Sequence, residues 1–130
     1  MTKLEERYKT WIEASEKAFL EGDVDARVAL WAEDCTRTVI DAFGEHRTIQ
    51  GQEAIRKAAE GAAAGTLNRI VLKNELLSAT DEKGIGNAEI RWTDTDGKEW
   101  ACNYIYLITL DENNRCVSYT EWNVVNAKEK

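Results

Sequence analysis

The sequence contains no proline and only one histidine, His46. Without proline there is no Pro-rich linker, and no Gly/Ser-rich stretch takes its place, so nothing in the composition divides the chain. One histidine and no cysteine cluster make a transition-metal centre an unexpected feature here, and no metal ligands are assigned. Cysteine is scarce as well. Cys35, Cys102 and Cys116 are odd in number and fit no zinc or redox spacing. They read as reduced, half-buried thiols, the pattern expected of a cytoplasmic protein. Basic residues are outnumbered, 17 against 24 acidic ones, for a net charge of −7. That argues against a nucleic-acid binder, which needs a basic face, and against an anionic membrane surface as partner. No run approaches the ~18 consecutive apolar residues of a membrane span. The start, Met1 to Glu6, has no apolar stretch, so no secretion signal is expected. A glycine-rich phosphate loop and a Gly-x-Ser-x-Gly elbow are both missing.

What remains is a sequence with the means to fold. Of 130 residues, 43% are apolar and 32% charged, which suits one globular domain over 1–130 with a real core. Leu4, Tyr8, Trp11, Ile12, Ser15 and Phe19 recur at helical spacing, predicting a helix near 3–21 that Gly22 terminates. Asp23 or Asp25 caps a second helix carrying Val24, Val28, Trp31, Ala32 and Cys35 on one face. A strand is expected over Thr36–Asp41, a turn at Phe43-Gly44-Glu45, and a return strand over His46–Gln50. After Gly51 a third helix buries Ala54, Ile55, Ala58, Ala59 and Ala62, and Gly65 stops it. Strands follow over 69–79, 85–95, 98–110 and 115–125. The sum is an α+β architecture in which helices cover one face of a mainly antiparallel sheet.

Two turns set the expected pairing. A two-residue turn at Asp96-Gly97 places Thr93 opposite Trp100, Arg91 opposite Cys102 and Glu89 opposite Tyr104. A turn centred on Asn113-Asn114 places Ile108 opposite Tyr119, Tyr106 opposite Glu121 and Tyr104 opposite Asn123. One face then holds Glu89, Arg91, Trp100, Tyr104, Tyr106, Tyr119, Glu121 and Asn123. The other carries Trp92, Ile105, Leu107 and Trp122. Either the apolar face packs on the helices, or the polar aromatic face lines a pocket beneath them and the apolar face is buried by another subunit.

The run from Glu21 to Cys35 resembles the second-helix signature of the SnoaL-like, nuclear-transport-factor-2-like superfamily. Gly51-Gln52-Glu53-Ala54-Ile55 is similar to its third-helix opening, and Tyr119-Thr120-Glu121-Trp122-Asn123 to its last strand. The resemblance covers nearly the whole chain. It implies three helices roofing a strongly curved, cystatin-like cone, a small apolar organic ligand inside, no cofactor, and a homodimer through the outer sheet face (Trp92, Ile105, Leu107, Trp122). It does not single out one activity. Against ketosteroid isomerase, Asp41 lies near the base position, while Ser15 and Tyr106 stand where its oxyanion-hole Tyr and Asp belong. Against limonene epoxide hydrolase, with its Asp-Arg-Asp set, Glu121 and Arg91 match but Thr93 replaces the second acid. Polyketide cyclases need one acid, for which Glu121 or Asp41 would serve.

The chemistry expected is acid–base work on a bound ligand: isomerisation, cyclisation, dehydration or epoxide hydrolysis. Glu121, Arg91 and Asp41 are the candidate catalytic residues. A carboxylate among rings is a suitable general base, and Arg91 would orient it. Tyr104, Tyr106, Tyr119, Trp100, Asn123 and Glu89 would contact substrate. The rival reading is a non-catalytic ligand-binding or dimerisation module, with Glu121–Arg91 as a structural ion pair, Asp41 a turn residue and Trp31 helix packing.

Overall fold

Thr2 accepts a hydrogen bond from the Glu5 N–H through its hydroxyl, and this cap starts helix α1 (Lys3–Glu21) in the computed structural model, which describes residues 2–41, 45–63 and 68–128. Gly22, at φ 66°, ends α1 in the left-handed conformation glycine adopts without strain. Asp23 caps helix α2 (Val24–Ala29) by accepting from the Ala26 N–H. This helix is shorter than the sequence pattern predicts. Instead of running to Cys35 it stops at Ala29, and Trp31–Ile40 is strand β1. The backbone at the crossing finds sheet partners: Cys116 N–H donates to the Leu30 carbonyl, and Gly51 N–H to that of Cys35, each at 2.8 Å. Long-range pairing thus overrides local helix periodicity, and Trp31 is a strand residue.

Strand β2 (His46–Gln50) returns beside β1 with the expected bounds, and helix α3 (Gln52–Ala63) follows. Phe43, Gly44 and the expected stop at Gly65 lie outside the described residues. Strands β3 (Asn68–Ala79), β4 (Gly84–Thr93), β5 (Glu99–Leu110) and β6 (Cys116–Lys128) complete an open, mixed sheet in the order β2-β1-β6-β5-β4-β3. Only the β1–β6 pair among them is parallel. Tyr8, Trp11 and Ile12 of α1, Val28 of α2 and Ile55 of α3 share one core with Ala88, Tyr106, Ile108 and Tyr119 of the sheet. That defines the inner face. All three cysteines are free and buried.

The β5–β6 register is the expected one, with Tyr106 opposite Glu121 and Tyr104 opposite Asn123. The β4–β5 register is not. Thr93 pairs with Glu99, Arg91 with Ala101 and Glu89 with Asn103. The cause is the loop. Asp94 accepts from the N–H groups of both Asp96 and Lys98, Gly97 N–H donates to the Asp94 carbonyl, and Gly97 sits at φ 81°. This is a three-residue loop closed by a positive-φ glycine, not a two-residue turn. A one-residue slip exchanges the faces of a strand. Ala88, Ile90 and Trp92 therefore join the inner face, while Glu89 and Arg91 move to the outer one. Trp92 does not belong to the outer apolar group. Ile105 and Trp122 do, at 49% and 42% exposure, joined by Val71 at 52%.

Candidate functional site

Glu121 is fixed by β6, whose alternation turns Tyr119, Glu121 and Asn123 to the inner side. It is 9% exposed, the one buried charged residue among those described. Tyr119 donates its hydroxyl to Glu121 Oε1 at 2.6 Å, and the Asn123 amide donates to Oε2 at 2.8 Å. Asn123 in turn accepts from the Cys102 thiol at 3.3 Å. A chain of donors thus converges on one carboxylate, each bond polarising the next. The parallel β1–β6 pairing sets Arg37 beside Tyr119, and its Nη2 lies 3.8 Å from Glu121 Oε1. The same guanidinium sits over the Tyr119 ring, 5.6 Å from its centre.

These groups line a cavity of about 270 Å³. Trp11, Ser15, Glu16 and Phe19 of α1 and Arg27 of α2 contribute to one side. Trp31 and Arg37 of β1, Leu72 and Asn74 of β3, Ile90 and Trp92 of β4, and Cys102, Tyr104, Tyr119, Glu121 and Asn123 supply the rest. Aromatic packing braces the wall: Trp31 meets Tyr119 edge-on at 5.5 Å, and Tyr106 stacks on Tyr119 at 5.8 Å. Burial, then the charge of Glu121, pushes the Tyr104 and Tyr119 hydroxyls well up, and the same two causes push the Cys102 thiol up to about 11. All three are protonated donors at neutral pH. The Tyr104 hydroxyl takes no hydrogen-bond partner among the described residues, so it is available to a ligand. Burial, then the neighbouring charge of Arg37, holds Arg27 below its ordinary value.

The structure brings Glu121, Tyr104, Tyr119 and Asn123 together as the strand pairing predicts. Tyr106 lies just behind the wall, buried, with its hydroxyl donating to Asn74. Trp100 stacks on Trp92 at 6.3 Å and donates to Asp94, so it supports the hairpin rather than lining the cavity. Arg91 and Glu89 are not in the site. They form an ion pair with each other at 2.7 Å on the outer face, the consequence of the register slip. The expected Glu121–Arg91 pair does not exist, and Arg37 stands in its place. Asp41 closes the β1–β2 connection, accepting from the Glu45 N–H at 3.0 Å, and does not line the cavity. His46 is exposed on β2. Sequence reasoning missed Arg37 and Arg27. The β-branched run over Thr36–Asp41 put Arg37 on a strand, but no hairpin turn ties β1 to β6, so nothing local fixed its face. No cluster of three or more His, Cys, Asp or Glu side chains suited to a metal ion occurs among the described residues.

No family model and no curated protein matches the sequence. Solved structures match along nearly its whole length. The epoxide hydrolase/cyclase-like enzyme SalBIII, of pyran ring formation in the polyether salinomycin, aligns with a TM-score of 0.73 at 20% identity over 95% of each chain. RV0760c from Mycobacterium tuberculosis, in complex with estradiol-17beta-hemisuccinate, aligns at 0.71 and 15% identity over 88% of this chain and 92% of that one. A ketosteroid isomerase-like protein from Erwinia carotovora atroseptica aligns at 0.70 and 12% identity over 95% and 98%. At these identities the likeness is one of fold, and the chain has the SnoaL-like, nuclear-transport-factor-2-like fold.

Proposed function

We propose that the cavity binds a small, mostly apolar organic molecule and that Glu121 acts on it as a general base. The reaction class is cofactor-free acid–base chemistry: isomerisation, cyclisation, dehydration or epoxide hydrolysis. The carrying observation is a buried carboxylate, bracketed by Tyr119 and Asn123, that borders a ring-lined cavity with Arg37 beside it. In an isomerase or cyclase step Glu121 takes a proton from a carbon next to a carbonyl. The freed electron pair passes to the carbonyl oxygen, and Tyr104 donates a hydrogen bond to the oxyanion that forms. Arg37 takes the orienting role first assigned to Arg91. Fold neighbours named as cyclase-like and isomerase-like, and one holding a steroid ester, support the ligand and reaction class.

In this reading the helices roof a curved cone, Asp41 serves the turn, and the protein is a cytoplasmic homodimer whose outer faces meet around Ile105, Leu107 and Trp122. A non-catalytic binding module is the second reading, favoured by both Glu121 oxygens already accepting hydrogen bonds within the protein. Glu121→Gln separates the two. Across a panel of epoxides, enones and polyketide-like ketones, turnover of an accepted substrate should fall by ~10²-fold or more, the scale of general acid–base catalysis, with the melting temperature nearly kept. Undiminished turnover overturns the assignment of the base. Ligand binding without turnover of any panel member establishes the binding module instead.

A further inference from the structure

We propose that the ligand of this cavity is a small organic carboxylate, its charged end held between Arg27 and Arg37 and its apolar body lying against Trp31, Tyr104 and Ile90. This rests on the reading of the cavity as the ligand site and adds the chemical class of what fills it.

The charges around the cavity do not balance at one end. Arg37 has Glu121 within 3.8 Å. Arg27 lines the same cavity and has no carboxylate within ion-pair reach among the described residues. Its guanidinium lies over the Phe19 ring instead, 5.4 Å from the centre. Glu16, the fourth charged lining group, makes no ion pair with Arg27 or Arg37 among the described residues. Glu16 and Glu121 balance the two arginines over the lining as a whole, but Arg27 and Arg37 are close enough for one charge to act on the other, and only Arg37 has a carboxylate within reach. Like charges held together away from water are costly, and an anion relieves the cost. The depressed Arg27 value, caused by burial and by Arg37, agrees with that strain. A planar guanidinium fork matches the two oxygens of a carboxylate, and Arg27 has its fork unpaired by any acid among the described residues. The volume, about 270 Å³, is that of roughly nine water molecules, room for one ring with a short acidic side chain.

Titration calorimetry with trans-cinnamate and the uncharged trans-cinnamamide at neutral pH tests this on the full chain. Cinnamate should bind at least tenfold more tightly. Arg27→Gln should cut the preference several-fold while the amide still binds, which also shows that the variant keeps its cavity, and Arg27→Lys should restore part of it. Equal affinity of the wild type for both probes, or an unaltered preference in Arg27→Gln, overturns the proposal. Binding of the amide with exclusion of the acid overturns the anion and leaves the ligand site standing. Binding of neither probe overturns both.

Discussion

Tyr8, Tyr104, Tyr106 and Tyr119 are the chain's four tyrosines, and burial is the first cause holding each above the ordinary value of 10.0. Cys102 is pushed up to about 11 from 9.0, and Cys116 higher still, again by burial. The direction of the pH effect follows. These groups keep their protons in the folded chain after the unfolded chain has lost them. Above about pH 9 the unfolded state therefore binds fewer protons and stability falls as pH rises. The contribution is fully present below the unfolded values of 9.0 and 10.0 and is lost on the way up to the folded ones. The melting temperature should decline steadily above pH 9, and tyrosinate absorbance should appear together with loss of circular dichroism. Tyrosinate rising well before the structure is lost would contradict the burial described. At this scale the sequence was partly readable. Tyr104, Tyr119, Glu121 and Asn123 could be grouped from one turn and strand alternation. Arg27 and Arg37 could not, because their neighbours across the cavity are remote in sequence.

The two hairpin loops of the later strands share their chemistry. Asp94 and Asp111 each accept from backbone N–H groups two and four residues on, and each loop closes on a positive-φ residue, Gly97 or Asn114. Read as two-residue turns, both give a register wrong by one. In the second hairpin an irregularity between Thr109 and Leu110 shifts the pairing back, so Tyr106 meets Glu121 as expected. The first has no such correction, and the β4 side chains change face. A bulge has no distinct residue signature here, so the right result on one hairpin and the wrong one on the other had the same basis. The helices show the same limit: α1 and α3 follow their periodicity, whereas α2 yields to β1. Element packing also explains two glycines in β4. A Cβ on Gly86 would run into the Tyr106 ring opposite, and one on Gly84 would lie 2.5 Å from Tyr8 Cδ1. Gly86→Ala should cost about 1–3 kcal/mol by overpacking, despite the better strand propensity of alanine, and should loosen the Tyr106–Asn74 bond. Urea denaturation checks it, and a variant as stable as wild type would show that the ring moves aside freely.

For the molecule as a whole, the outer sheet face sets the expected assembly. Val71, Ile105 and Trp122 leave large apolar side chains half in water, and Ile105 is paired directly with Trp122. If that face meets a second copy, Trp122→Lys should shift the protein from dimer to monomer in sedimentation at micromolar concentration, leaving the inner cavity intact. A wild-type monomer under the same conditions would remove the dimer from the proposal. The α+β order and the antiparallel pairs were legible because hairpins are local. The parallel pair β1–β6 was not, and it carries a consequence for biosynthesis. Arg37 pairs with Tyr119, 82 positions later (119 − 37). At ~5–20 residues per second, β1 leaves the ribosome roughly 4–16 s before its parallel partner exists. Through that interval one side of β1 has an open backbone edge, a template for wrong pairing. Arg37 and Glu121 can meet only once β6 docks beside β1, so the charged heart of the cavity waits on the latest-made strand of this sheet.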